Sequence, residues 1–209
     1  MQINIQYKNH WQNIYEKKDE KSLSWFQKNA SPSINLIQKY IDKNHKKFID
    51  IGAGTSRLVD KIIKIRNIKE ISLLDISSKA LSINKKRLPQ DYKINYITSE
   101  ITQWKHDNIF DIWHDRAVFH FILSEEHIKK YLSVLDLSTR SGSIIIIGTF
   151  CLDGPDKCSG LEIKKYSSKT LHSILGNKFN LLESLDHNHY TPNDKLQKFS
   201  FSVFKKSIS

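Results

Sequence analysis

The chain has 209 residues, of which 39% are hydrophobic and 26% charged, a composition typical of globular proteins. No apolar run approaches the roughly 20 residues of a membrane-spanning helix, and residues 1–6 are too polar for a secretory signal. The formal charge of +11 comes from scattered lysine pairs, so we expect a solvated basic surface rather than a nucleic-acid interface. The two cysteines lack zinc or redox spacing, and the expected location is the reducing cytoplasm.

The first 47 residues are predicted to form two helices ahead of a sheet. Trp11, Ile14 and Tyr15 recur at helical spacing, and Ser31-Pro32 begins a second helix with proline at its first position. No repeat, linker or second domain is apparent, so we expect one domain over residues 1–209.

Apolar runs and amphipathic stretches alternate from residue 48 onward. Strands are predicted at residues 48–51, 71–75, 92–97, 110–113, 143–149, 179–185 and 199–204. Helices are predicted to follow the first, second, fourth and fifth strands, with caps at Ser77 or Ser78, Ser124 and Gly176. This order predicts a parallel sheet with helices on both faces, which ends in an antiparallel hairpin and binds ligands beyond its carboxyl edge.

A glycine turn follows the first predicted strand in the run Asp50-Ile51-Gly52-Ala53-Gly54. Gly52 and Gly54 permit a sharp turn and close approach of a ligand, and the helix beyond offers N–H groups to an anion. Arg57 stands where a dinucleotide fingerprint has its third glycine. Asp50 is suited to neutralise a ligand ammonium, although a purely structural turn is the alternative.

Asp75 ends the second predicted strand. A carboxylate at this place accepts hydrogen bonds from ribose hydroxyls in nucleotide-binding sheets. A lone aspartate is more often a helix cap, but the combination with the glycine turn predicts a nucleoside site.

These motifs resemble those of class I S-adenosylmethionine-dependent methyltransferases. Further matching runs are Ser99-Glu100-Ile101, Phe110-Asp111-Ile112-Trp113 and Ser141-Gly142-Ser143. The resemblance covers the chain from about Phe48 to the terminal hairpin. It implies an α/β, Rossmann-like, seven-stranded sheet of order 3-2-1-4-5-7-6, with strand 7 antiparallel and helices on both faces.

The same resemblance implies S-adenosylmethionine as the cofactor. The implied contacts are Asp50, Gly52 and Gly54 with the methionine part, Asp75 with the ribose, Glu100 with the adenine amino group, and Ile76 and Ile101 with the adenine ring. Many members have aspartate where Glu100 stands. Arg57 is expected either to contact the cofactor carboxylate or to face solvent.

Two narrower resemblances concern the N-terminal segment and the fourth strand. His10-Trp11, Tyr15 and Ser24-Trp25-Phe26 are similar to the N-terminal lid of lysine methyltransferases that modify elongation factor and citrate synthase. This implies a helical lid over residues 1–47, with Trp25 covering the cofactor, and a core over residues 48–209. Packing of the same aromatics in an ordinary core is the alternative.

The run Trp113-His114-Asp115-Arg116-Ala117 resembles the one after strand 4 in thiopurine methyltransferase, where it lies near the transferred methyl. An uncharacterised bacterial group of methyltransferases has a similar stretch and also a loop like residues 153–161. That loop follows strand 5, where substrate residues usually lie in this fold.

Methyl transfer requires mainly alignment, and a base only when the acceptor arrives protonated. The catalytic candidates are His114, Asp115, Arg116 and His120, with His189 as a further possible base. Arg116 is a fixed cation suited to orient an anionic acceptor, whereas a structural role remains open for each histidine. No metal site is expected, because the histidines near residue 187 lack partners at ligand spacing. Cys158 lacks an identifiable base.

We therefore expect methyl transfer to a heteroatom of a small molecule, a thiol being one candidate. Protein lysine is the alternative acceptor, which needs an acidic or desolvating pocket, for example from Asp115, Asp153 and Asp156. A non-catalytic nucleic-acid or ribosome-associated binding module is the alternative of another class, and it depends on the basic charge alone. We expect no membrane partner and a monomer or dimer.

Overall fold

The computed structural model describes residues 2–207, with side chains from residue 5. Its helices are α1 (Gln2–Lys17), α2 (Ser33–Tyr40), α3 (Val59–Ile62), α4 (Ser78–Arg87), α5 (Glu125–Leu137) and α6 (Ser168–Leu175). Its strands are β1 (Lys47–Ile51), β2 (Glu70–Asp75), β3 (Ile94–Thr98), β4 (Phe110–Arg116), β5 (Thr139–Phe150), β6 (Lys157–Cys158), β7 (Leu161–Glu162), β8 (Phe179–Tyr190) and β9 (Leu196–Lys206). None of the helices within these residues has the length and apolar character needed to cross a bilayer.

The main sheet has seven strands in the order β3-β2-β1-β4-β5-β9-β8. Strands β1 to β5 are parallel, whereas β9 runs antiparallel to both β5 and β8. The predicted order 3-2-1-4-5-7-6 is confirmed, with β9 in the place of strand 7 and β8 in the place of strand 6.

Each face of the sheet carries its own apolar core. The run of four isoleucines in β5 sends Ile144 and Ile146 into one cluster and Ile145 and Ile147 into the other. Helices cover both faces, so alternate side chains of a central strand are equally buried and the strand is a continuous apolar run.

Strand β4 extends three residues beyond the predicted 110–113. It remains paired on both sides, with Asp115 opposite Ile51 of β1 and Arg116 opposite Gly148 of β5. Because side chains alternate along a strand, His114 and Arg116 lie on one face of the sheet and Asp115 on the other.

Several local predictions differ from the structure. Pro32 is the N-cap residue of α2 rather than its first helical residue. The final hairpin is longer than predicted, and the loop after β5 contains the unpredicted two-stranded sheet of β6 and β7. The predicted caps at Ser77, Ser124 and Gly176 are confirmed.

Candidate cofactor and acceptor site

The turn between β1 and α3 accepts only glycine at two positions. Gly52 has φ +63° and Gly54 has φ +50°. A Cβ atom would lie 2.1 Å from Val118 Cγ2 at Gly52 and 2.5 Å from the Tyr15 hydroxyl at Gly54. The backbone therefore turns in a space that a side chain would fill.

Polar side chains of α4 support this turn from outside. Asn84 is fully buried and donates to the Gly54 carbonyl at 2.6 Å. Arg87 donates to the carbonyls of Thr55 at 3.0 Å and Ser56 at 2.8 Å. Neither residue was assigned to the site from the sequence, and the signal available for Asn84 was an amide beside the apolar residues Ala80 and Leu81.

Asp75 joins the ends of β1 and β2. Its Oδ2 accepts the Gly54 N–H at 2.7 Å, and its Oδ1 accepts the Ser77 N–H at 2.7 Å. Burial raises the pKa of Asp75 to about 6, against these two hydrogen bonds and with a smaller contribution from the charge of Asp50. The carboxylate is thus desolvated but ionised at neutral pH.

One cavity of about 390 Å³ lies along the carboxyl ends of β1, β2 and β4. It is lined by all eight residues predicted to contact the cofactor, namely Trp25, Asp50, Gly52, Gly54, Asp75, Ile76, Glu100 and Ile101. His114 and Arg116 also line it, whereas Asp115 and His120 do not. The structure therefore separates the four catalytic candidates into two pairs.

Glu100 begins a 3-10 turn at the rim of the cavity. Its two carboxylate oxygens accept the backbone N–H of Thr102 at 3.0 Å and the hydroxyl of Thr102 at 2.5 Å. The next residue, Ile101, is buried and gives the cavity an apolar wall. The carboxylate is held in place and still has free lone pairs.

A buried hydrogen-bonded chain lies behind the glycine turn. His114 Nδ1 lies 2.6 Å from Asp50 Oδ1, and its Nε2 lies 2.8 Å from the Ser33 hydroxyl. All three residues are at most 3% exposed. With a proton on Nδ1 donated to Asp50, Nε2 is free to accept the Ser33 O–H. Sequence reasoning missed Ser33, which no motif distinguishes.

Asp115 lies on the opposite face and organises the chain after β4. Its Oδ1 accepts the Val118 N–H at 2.9 Å, and its Oδ2 accepts the Phe119 N–H at 3.1 Å and the Tyr131 hydroxyl at 2.7 Å. Burial raises the pKa of Asp115 to about 6, although these bonds favour its charged form. Its contacts belong to the fold rather than to the cavity.

His120 is fully buried, and neither ring nitrogen has a hydrogen-bond partner in the described part of the chain. Burial, followed by the charge of Arg116, lowers the pKa of His120 to about 3. Burial also raises the pKa of the cavity-lining Cys158 thiol to about 11. At neutral pH the imidazole is therefore neutral and the thiol protonated.

The N-terminal segment, residues 5–30, lines the cavity. Side chains of β4 and β8 hold it in place. Arg116 Nη1 donates to the Trp25 carbonyl at 3.0 Å, and His189 Nε2 lies 2.7 Å from the Ser24 carbonyl. Closer to the N-terminus, Glu20 of the same segment forms an ion pair with Arg57, which follows the glycine turn.

Aromatic rings form the wall beneath this segment. Trp11 packs edge-on against Trp25, with ring centroids 5.6 Å apart, and against Phe121 at 5.2 Å. Tyr15 makes a similar contact with Trp25 at 6.1 Å. All four rings line the cavity, so the part of the cavity next to them is suited to a flat, apolar group. Among residues 2–207, no group of three or more His, Cys, Asp and Glu side chains is arranged to hold a metal ion.

Comparison with known families agrees with this geometry. Residues 42–193 match a family model described as a methyltransferase domain, and the chain belongs to this family. Its cofactor is S-adenosylmethionine. No curated protein sequence matches the chain.

Solved structures with the same fold include several methyltransferases. An S-adenosylmethionine-dependent methyltransferase from Anabaena variabilis is 12% identical, with TM-score 0.74 and coverage of 98% of this chain and 95% of that chain. The N-methyltransferase NodS of Bradyrhizobium japonicum, in complex with S-adenosylhomocysteine, is 11% identical, with TM-score 0.71 and coverage of 94% and 98%. The Burkholderia thailandensis 1,6-didemethyltoxoflavin-N1-methyltransferase, with bound 1,6-didemethyltoxoflavin and S-adenosylhomocysteine, is 12% identical, with TM-score 0.68 and coverage of 98% and 87%. At these identities the likeness shows the fold.

We expect Asp115→Asn to destabilise the protein by about 1–3 kcal/mol, because an amide cannot satisfy the same set of buried donors. Urea unfolding measures this change. Asp107→Asn, at an exposed position, should change stability by less than about 0.5 kcal/mol. Equal stability of the two variants would contradict the role assigned to Asp115.

Proposed function

We propose that this protein transfers a methyl group from S-adenosylmethionine to a heteroatom of a small molecule. The observation that supports this most is the continuity of one cavity, which is lined by the glycine turn and Asp75 and also by Trp11, Phe121 and Arg116. The first half has the features of a nucleoside site, and the second half has room for an acceptor.

The residues of the first half fit the cofactor. The glycine turn leaves a cradle that a Cβ would fill, and Asp75 offers a fixed acceptor for ribose hydroxyls. Ile76 and Ile101 provide apolar contact for adenine beside Glu100. The cofactor, when bound, supplies an electrophilic methyl on a sulfonium. The protein has to align the acceptor with that methyl.

We assign His114 a positioning role. Both of its ring nitrogens are engaged, and the bond to Asp50 orients that carboxylate toward the cofactor ammonium. A proton from an acceptor would reach Nε2 only through the Ser33 hydroxyl. A thiol needs little help, because it ionises partly at neutral pH.

A small acceptor is favoured over protein lysine by the charges of the second half. A lysine side chain has a pKa of about 10.4 and must lose a proton before it can accept a methyl group, which calls for nearby acids. Asp115 is on the other face of the sheet, while Asp153 and Asp156 are exposed and form ion pairs with Lys198 and Lys165. Arg116, which lines the cavity, would repel an ammonium. Two of the structural neighbours are N-methyltransferases, one with a small heterocycle bound.

Asp75→Asn should weaken binding of S-adenosylhomocysteine by about 1.5–3 kcal/mol, measured by calorimetry, because hydrogen bonds to a charged acceptor are lost. Affinity of the native protein should also fall below pH 6, by up to roughly tenfold per pH unit, since protonation of Asp75 competes with the ribose. The variant should lack this pH dependence. Binding of NAD instead of S-adenosylhomocysteine would overturn the cofactor assignment.

Closure of the N-terminal segment predicts a fluorescence signal. S-adenosylhomocysteine should change tryptophan emission and slow proteolysis within residues 1–30. The change should be reduced in Trp25→Phe, which leaves Trp11 in the cavity wall, and kept in Trp104→Phe, because Trp104 stacks on His106 and does not line the cavity. Identical digestion with and without ligand would contradict a lid.

Acceptor class is tested by labelled methyl transfer. We expect label to enter small thiols or amines rather than protein, with Asp75→Ala as the cofactor-deficient control. Label found solely on protein lysine would reverse the choice of acceptor.

Retention on heparin with steep salt dependence, together with no binding of S-adenosylhomocysteine, would favour a nucleic-acid-binding module.

A further inference from the structure

Arg116 uses only one edge of its guanidinium. Nη1 donates to the Trp25 carbonyl, and the cation lies 4.8 Å from the centre of the Phe199 ring. The Nε and Nη2 atoms are both buried and have no hydrogen-bond partner among the described residues. These two nitrogens form the edge whose parallel N–H groups match a carboxylate.

The charge of Arg116 has no paired anion in the described part of the chain. Asp50 is a carboxylate whose charge acts on Arg116, and it is bonded to His114. Three histidines surround the cation, and burial together with its charge lowers their pKa values, to about 3 for His120, to about 4 for His189, and to a lesser extent for His187. The neighbours are therefore neutral, and none can compensate the cation.

Such an arrangement needs a reason. A buried charge is normally paired, because removal from water costs several kcal/mol. Holding the Trp25 carbonyl requires a single neutral donor, so that contact does not explain a guanidinium. Arg116 lines the cavity, and its remaining edge offers a bidentate, charge-assisted pair of donors.

We propose that the methyl acceptor carries a carboxylate, which binds the Nε and Nη2 edge of Arg116. This inference depends on the proposed function. Phe121 and Cys158 line the same cavity as Arg116 and favour an apolar or aromatic body for the acceptor. The substrate class is a small aromatic acid with a thiol or amine as the methylated group. Because the two nitrogens are buried in this structure, the cavity wall must adjust slightly as the carboxylate enters.

The test compares acceptors that differ only in charge. The probes are 4-mercaptobenzoate against 4-mercaptobenzamide, and 4-aminobenzoate against 4-aminobenzamide. Binding is measured by calorimetry with and without saturating S-adenosylhomocysteine, so that acceptor and cofactor affinities are separate results. We expect each acid to bind the native protein at least tenfold more tightly than its amide.

Variants locate the effect. Arg116→Gln should bring the acid-to-amide ratio close to one, and Arg116→Lys should leave an intermediate ratio because the charge remains without the paired donors. Arg66→Gln, at an exposed position outside the cavity, should keep the native ratio. Equal binding of acid and amide to the native protein, or no binding of either acid, overturns the inference even if S-adenosylhomocysteine binds. Failure of S-adenosylhomocysteine to bind overturns the proposed function instead.

Discussion

The site depends on the hydrogen bond between the Gly54 N–H and the Asp75 carboxylate. This bond fixes the glycine turn of the first strand against the end of the second. The turn has its positive φ angles only because Gly52 and Gly54 lack side chains, and Asn84 and Arg87 hold its carbonyls from the other side. A buried carboxylate bonded to two N–H groups remains ionised near neutral pH. The same interaction therefore fixes the backbone and leaves a negative charge at the cavity wall.

Alternation along β4 determines what the fourth strand can contribute. His114 and Arg116 point toward the cavity, whereas Asp115 points into the opposite core and bonds to Tyr131. The three consecutive polar residues thus have different surroundings. His114 bonds to the Asp50 carboxylate, Arg116 lines the cavity, and Asp115 orders the turn after the strand. Sequence proximity alone suggested one catalytic cluster, which the pleat of the strand does not permit.

The fold and the cofactor half were predictable from the sequence because both depend on local signals. Strand–helix alternation, the glycine pair and an aspartate at a strand end each have a direct physical meaning. The length of β4, by contrast, depends on pairing with strands on both sides, so its polar end looked like a loop. The partners of His114 also come from distant segments, since Ser33 lies 81 residues away in the chain. No spacing rule brings such residues together.

The N-terminal segment and the acceptor meet at the same side chain. One edge of Arg116 holds the Trp25 carbonyl, and the other edge is the one proposed to receive a carboxylate. A guanidinium is rigid and planar, so orienting one edge also orients the other. The contact with the Trp25 carbonyl therefore also fixes the direction of the Nε and Nη2 donors.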